Sequence, residues 1–219
     1  MRGESMSKQG SQLEMSSVQT VFKKDRVYPA SLRERLGKYT PDSIYVVGDT
    51  SALKQAAVAF VCSVQCPGSV VIHTFDAIRN LRDAGVTVIG GFHSPMEQEC
   101  LDFLLRGKQP VIMSLPKGLS RPKLTPAQRR AVEDGRMVLV SIFPEAITRT
   151  NKRQSQDRNE FIAALASSVL IPHASPGGNA ESIARQVVGR AQPLFTIQDP
   201  ENDKLIKLGA QTFKMETIR

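Results

Sequence analysis

Three stretches of the sequence share one design: an apolar run, a turn of small residues, then the start of a helix. They are Cys62 to Ser69, Gly90 to Pro95, and Ser175 to Asn179. Backbone N–H groups at a helix N-terminus carry partial positive charge, and glycine lets a phosphate approach them closely. None of the three matches a G-x-G-x-x-G fingerprint or a G-x-x-x-x-G-K-[ST] loop. Taken singly, each reads equally well as turn chemistry. A fourth stretch, Asp157-Arg158-Asn159-Glu160, opens a predicted helix. Arg158 offers a rigid fork of donors to a phosphate, and Asn159 can hydrogen-bond a base edge, a sugar or a loop backbone.

The remaining reactive side chains point to less. Cys62-x-x-x-Cys66 invites a zinc or redox reading, but Cys100 is the one other sulfur of that kind, on a helix face that reads as buried. Two thiols at a helix N-terminus can have lowered pKa values, and reduced structural thiols are the plainer alternative. His73, His93 and His173 show no H-x-x-x-H spacing, so no metal site is expected. No Ser-His-Asp or paired-carboxylate arrangement can be argued from the sequence, so no catalytic residue and no cofactor are assigned.

The elements that must position these residues alternate. Strand-like runs are Ser43 to Val47, Ala57 to Val61, Val86 to Ile89, Val111 to Leu115, Met137 to Phe143, Val169 to Ile171 and Pro193 to Ile197, with a last short strand within Ala210 to Met215. Helical patterns fall between them, near 28–36, 69–85, 95–106, 125–135, 156–167, 180–189 and 199–208. Several strand runs are apolar throughout, as in a sheet covered on both faces. Strand, loop and helix repeated in this way predict an α/β protein: a Rossmann-like, doubly wound, mostly parallel sheet with helices on both faces. Such sheets bind ligands at the carboxyl ends of their strands, where these glycine turns fall. Residues 1–24 are polar and lack apolar period, so they read as a flexible arm ahead of a domain over 25–219.

The chain has 219 residues and a formal charge of +8. That length suits one domain rather than a large multidomain enzyme. No run approaches a membrane span and no secretory pattern opens the chain, so no membrane contact is expected. Three cysteines suggest a reducing, cytoplasmic setting. Tryptophan is absent and aromatics are 5%, which weakens any model built on aromatic base stacking. Positive charge attracts polyanions. It concentrates in Lys117, Arg121, Lys123, Arg129, Arg130 and Arg136, and again in Arg149, Lys152, Arg153 and Arg158.

Several segments, in order, resemble the DNA-processing protein A family (DprA/Smf). Tyr28-Pro29 through Leu32, Ile44 to Asp49 and Val58 to Ser63 look like its opening, and Gly85 to Gly91 like its second strand and glycine turn. Gln156 to Ala166 resembles its Arg-Asn signature, Gly189-Arg190 through Phe195 its late strand, and Asn202 to Ala210 its closing segment. The resemblance implies an extended Rossmann-like fold of the SLOG superfamily, single-stranded DNA binding, homodimerisation and loading of a RecA-type recombinase. It places phosphate or nucleic-acid contacts on Ser63, on Gly90, Gly91 and Phe92, on Lys117 and Gly118, on Arg158 and Asn159, and on Gly177, Gly178 and Asn179. Lys152 and Arg153 join them from the second basic cluster. The family's first-turn arginine is Val64 here, and Phe92 to Pro95 departs from its usual Arg-Gly-Ile-Asp stretch. The chain is therefore read as a stand-alone, divergent member, without the family's winged-helix tail or leading helical domain.

Pro176-Gly177-Gly178 also resembles part of the Pro-Gly-Gly-x-Gly-Thr-x-x-Glu motif of the LOG phosphoribohydrolases. Ala180, Glu181 and Ala184 stand where that motif has Gly, Thr and Glu. The alternatives to single-stranded DNA are thus a nucleotide-binding SLOG sensor and a LOG-like nucleoside monophosphate phosphoribohydrolase.

Overall fold

A computed structural model describes residues 18–120 and 122–218. Most of the expected arm, together with Arg121 and Arg219, lies outside the described residues.

The described residues form one nine-stranded sheet in the order β1-β2-β6-β5-β4-β3-β7-β8-β9. Its middle is a parallel run of β3 (Ala57–Phe60), β4 (Thr87–Gly90), β5 (Val111–Ser114), β6 (Met137–Ser141), β7 (Ser168–Leu170), β8 (Leu194–Thr196) and β9 (Gln211–Thr212). At one edge β2 (Ser43–Val47) pairs antiparallel with β6, and β1 (Gln19–Phe22) pairs antiparallel with β2. The expected mostly parallel α/β sheet is present. The sheet, however, begins at Gln19, inside the stretch read as an arm. β1 is an edge strand that buries Val21 and exposes its other residues, so its sequence carries too little alternation to announce it.

Every residue of β3, β4, β5 and β6 is buried, because helices cover both faces. One face packs against α1 (Ala30–Leu36), α5 (Lys152–Leu165), α6 (Asn179–Gly189) and α7 (Asp203–Leu208), through Leu32, Phe161, Ile162, Ile183, Val187 and Leu205. The other packs against α2 (Gly68–Asp83), α3 (Pro95–Leu104) and α4 (Pro126–Glu133), through Val70, Ile78, Leu81, Leu101, Leu104 and Val132.

Chain order and sheet order part company at β3. The chain runs β3 to β6 outward on one side, then crosses back to lay β7 against the other side of β3. This reversal opens a crevice at the strand carboxyl ends, where doubly wound sheets bind ligands. The register keeps those ends level: Phe60 lies opposite both Gly90 and Leu170, and Gly90 opposite Met113.

A buried asparagine ties together the chain just beyond β7 and β8. The Asn202 side-chain amide donates to the Pro172 carbonyl at 2.6 Å and the Ile197 carbonyl at 2.9 Å. Its oxygen is then left to accept from His173 Nδ1 at 3.1 Å, which fixes the histidine tautomer. These bonds join the ends of β7 and β8. Asn202→Ala leaves buried carbonyls unpaired, so it should cost about 2–3 kcal/mol. A thermal melt should fall by roughly 5–10 °C; an unchanged melt would contradict this role.

Candidate functional site

The cleft at the strand ends encloses about 440 Å³. Its β3 wall is the turn Cys62, Ser63, Val64 and Gln65, and its β4 wall is His93, Ser94 and Glu97. Ser155, Arg158 and Asn159 of α5 form the floor, and Ser175, Gly178, Asn179 and Ala180 close the β7 side.

A buried carboxylate organises two of these walls. Glu97 Oε1 accepts from Cys62 N at 3.0 Å, while Oε2 accepts from His93 N at 2.8 Å and Ser94 N at 3.0 Å. Ser94 returns the favour by accepting from Glu97 N, which completes a capping box on α3. The β3 and β7 walls are joined by Ser63, whose N–H donates to the His173 carbonyl at 3.2 Å and whose hydroxyl accepts from Ser175 N at 2.9 Å.

Arg158 is the central cation. It is 5% exposed, and Nη1 donates to the Ser114 carbonyl at 3.3 Å. Its Nε and the nearby Ser114 hydroxyl are buried without a hydrogen-bond partner. Burial pushes the guanidinium pKa down from its ordinary value, and the Glu97 carboxylate opposes that shift. Even so, arginine keeps its charge in proteins, and a buried charge without full pairing is costly. A Cβ at Gly91 would collide with this guanidinium, so the glycine makes room for it. Asn159, beside Arg158, is buried except for the surface it gives the cleft.

Opposite stands the N-terminus of α6. Gly178 is its N-cap residue and provides no side-chain bond, and Gly178, Asn179 and Ala180 of this helix start line the cleft. A Cβ at Gly178 would lie 2.9 Å from the Ser175 carbonyl, so the close turn requires glycine. Gly177, at φ 69°, donates to the Glu181 carboxylate at 2.6 Å.

The structure therefore brings together Ser63, Arg158, Asn159, Gly178 and Asn179 around one cavity, with Gly91 behind Arg158. It sets the other expected contacts elsewhere. Gly90 belongs to β4 and is covered by the Phe92 ring, which is itself 3% exposed. Gly118 is buried where a Cβ would meet the Glu145 backbone at 2.7 Å, and Lys117 offers its carbonyl to Ser141 Oγ. Both lie on the β5 and β6 side, away from the cleft lining. Gly177 lies on the outer turn before α6. Lys152 and Arg153 are not loop residues: Asn151 and Gln154 form a capping box that starts α5 at Lys152. Arg158 is thus in the second turn of that helix, where a side chain can reach the sheet. Arg153 pairs with Asp157 at 2.9 Å on the solvent side.

Glu97 was not among the expected residues. Its signal was legible: Ser94-Pro95-Met96-Glu97 is a capping-box sequence. Among the described residues no group of three or more His, Cys, Asp or Glu side chains is placed to hold a metal ion, and no helix is long and apolar enough to cross a membrane.

A mostly parallel Rossmann-like sheet with a buried arginine and a helix N-terminus lining the cleft at its topological switch point defines the chain as an α/β protein of the doubly wound class. The model of the DNA recombination-mediator protein A family matches residues 19–217, and the chain belongs to that family. The DNA processing protein A of Helicobacter pylori, known for its mode of binding single-stranded DNA, has a similar fold at TM-score 0.75 and 22% identity, covering 92% of this chain and 93% of that one. The Streptococcus pneumoniae protein matches at TM-score 0.75 and 20% identity, over 91% and 72%. The molybdenum cofactor carrier protein of Chlamydomonas reinhardtii shares the fold more distantly, at TM-score 0.50 and 10% identity, over 75% and 94%. No curated protein matches the sequence.

Glu97→Ala leaves three N–H groups without an acceptor, each buried or close to it. We expect a loss of about 2–4 kcal/mol in urea unfolding, with Glu97→Gln falling between the variant and the parent. Wild-type stability in the alanine variant would show that the carboxylate does not hold the walls.

Proposed function

We propose that this chain binds single-stranded DNA through the cleft, with one backbone phosphate seated between Arg158 and the N-terminus of α6. The observation that carries the reading is Arg158: a buried guanidinium with an unpartnered Nε, lining an open cavity opposite an uncapped helix end. A phosphate supplies the missing acceptors and meets the helix dipole. Asn159, with both a donor and an acceptor, orients the attached sugar or base. Family membership supports a role in DNA processing, and the Helicobacter pylori relative supports single strands as the ligand. A homodimer and contact with a RecA-type recombinase are parts of the same proposal that rest on the family alone, and action in the cytoplasm rests on the low cysteine count.

The cleft favours a phosphate anchor over a hydrolytic centre. Ala184, which stands where the phosphoribohydrolase motif carries Glu, is fully buried in the helical layer and has no carboxylate to offer. Val64, in place of the family's arginine, is 70% exposed at the cleft rim. The turn therefore contributes backbone and Ser63 rather than a second forked cation, and fewer phosphates are neutralised.

Fluorescence anisotropy with a labelled oligothymidine tests this. Binding should weaken steeply with salt, because phosphate contacts release counterions. Arg158→Ala should weaken binding about tenfold or more, the worth of a charge-assisted bond. Arg158→Lys should restore only part, since the ammonium lacks the fork. Gly91→Ala should mimic Arg158→Ala by displacing the guanidinium. No binding to single strands at low salt would sink the proposal.

A further inference from the structure

The phosphate seat leaves two features unused: Arg153, and the ring of Tyr39. Tyr39 ends a single helical turn, Gly37–Tyr39, and at 74% is the most exposed large apolar side chain among the described residues. It lines a groove of about 460 Å³, as roomy as the cleft itself, whose other apolar walls are Leu36, Pro41, Ile142 and Phe161. Helix α5 supplies the charged edge, through Arg153, Asp157 and Glu160. Ile142 follows the carboxyl end of β6, so the groove opens at the same end of the sheet as the cleft.

A third hollow joins groove and cleft. A polar furrow of about 170 Å³ lies between α5 and α6, lined by Gln156, Ser182 and Gln186 among others. It shares Asn179 with the cleft, and it shares Arg153, Asp157 and Glu160 with the groove. One surface path therefore leads from the phosphate seat, past the start of α6, over the early turns of α5, to Tyr39. Arg153 stands at the crossing from furrow to groove. Its side chain is 81% exposed, and Asp157 Oδ1 holds it at 2.9 Å.

We infer that a single strand anchored at Arg158 follows this path and lays a base on the Tyr39 ring, in a groove that favours bases with an exocyclic amino group. The inference rests on the function proposed above. The chemistry of the groove selects a base over a phosphate. Its walls are apolar, and its two carboxylates repel an anion. Asp157 Oδ1 is spent on Arg153, and Glu160 Oε1 on Arg190 at 2.7 Å, so each carboxylate has a second oxygen to offer. The amino groups of cytosine, adenine and guanine can donate to such an oxygen, whereas thymine presents the O4 acceptor where cytosine presents its N4 amino group. Stacking itself tolerates any base, because every base has a π-face. The phosphates stay outside the groove, where Arg153 and Lys38 supply positive charge; Lys38 Nζ lies 5.2 Å from the Tyr39 ring centroid.

The test uses the full chain in the anisotropy assay, with oligodeoxycytidine and oligothymidine of equal length. The parent should prefer the cytosine strand by about threefold, the worth of one hydrogen bond, and Asp157→Ala should remove that preference. Tyr39→Ala should weaken binding of both strands roughly tenfold, as the loss of one stacked base does. Its thermal melt should match the parent's, because the ring is exposed. Tyr39→Phe should bind like the parent. Arg153→Ala should reduce the slope of log K against log salt by about 0.7, one phosphate contact. A strand carrying 5-iodocytosine should photocross-link to Tyr39 in a peptide map. Binding that needs Arg158 but is indifferent to Tyr39→Ala, or cross-links confined to other residues, would overturn the path and leave the phosphate seat standing. Equal affinity of the parent for the two strands would overturn the base preference. Loss of self-association in Tyr39→Ala with DNA binding intact would give the groove to a second copy of the chain. Failure of the parent to bind single strands at all would overturn the path together with the function it rests on.

Discussion

The Glu97 carboxylate is the contact on which the cleft depends. Two oxygens take three backbone N–H groups from the ends of two different strands, β3 and β4. The bonds to Cys62 N and Ser94 N are buried and that to His93 N is partly so, so leaving these groups unpaired would be expensive. One side chain thus sets the spacing of two walls and caps the helix that follows. It also supplies an anion near Arg158 that favours the buried guanidinium in its charged form. An acidic residue inside a cleft proposed to bind an anion is at first sight misplaced. Its oxygens are committed to backbone donors, so it acts as a fixed part of the wall.

Arg158 and Gly91 form a second mutual constraint. The guanidinium reaches its place because the residue it presses against has no side chain. Its single bond to the Ser114 carbonyl satisfies one of its donors and leaves Nε unpaired. A cation held in this way is preorganised for an anion, because the cost of ordering and burying it is met when the protein folds. Helix α6 contributes from the opposite side with backbone dipoles alone, which bind phosphate irrespective of base sequence. This composition underlies the proposed seat for a nucleic-acid phosphate, with Asn159 proposed to contact a sugar or base.

Much of the architecture was legible in the sequence, and the exceptions have physical causes. The seven strands that continue through the sheet interior or beside it announced themselves as apolar runs. β1 did not, because an edge strand with one buried side chain has no pattern to show. The start of α5 was placed too late because the first turn, Lys152 to Gln154, is polar on all sides, and the cap on Asn151 marks the onset rather than any apolar residue. Gly118 and Gly90 looked like phosphate turns, yet each is small for packing reasons: backbone from the β6 loop approaches one, and the Phe92 ring covers the other. A glycine that admits a ligand and a glycine that admits a neighbour are identical in sequence.

Local rules determined the alternation of strands and helices, the caps at Ser94, Thr125 and Asn151, the basic balance and the pairing of Arg158 with Asn159 on one helix. These depend on neighbours a few residues apart, and the chain order displays them. The tertiary structure alone decided which of the small-residue turns share a cavity. That outcome follows from the reversal of strand order at β3, which sets β7 beside it and leaves β5 and β6 further out. It also decided that Glu97 bridges to Cys62 across 35 positions and that Arg158 lies on Gly91. Such contacts arise from the packing of the sheet as a whole, and nothing in the spacing of the residues along the chain encodes them locally.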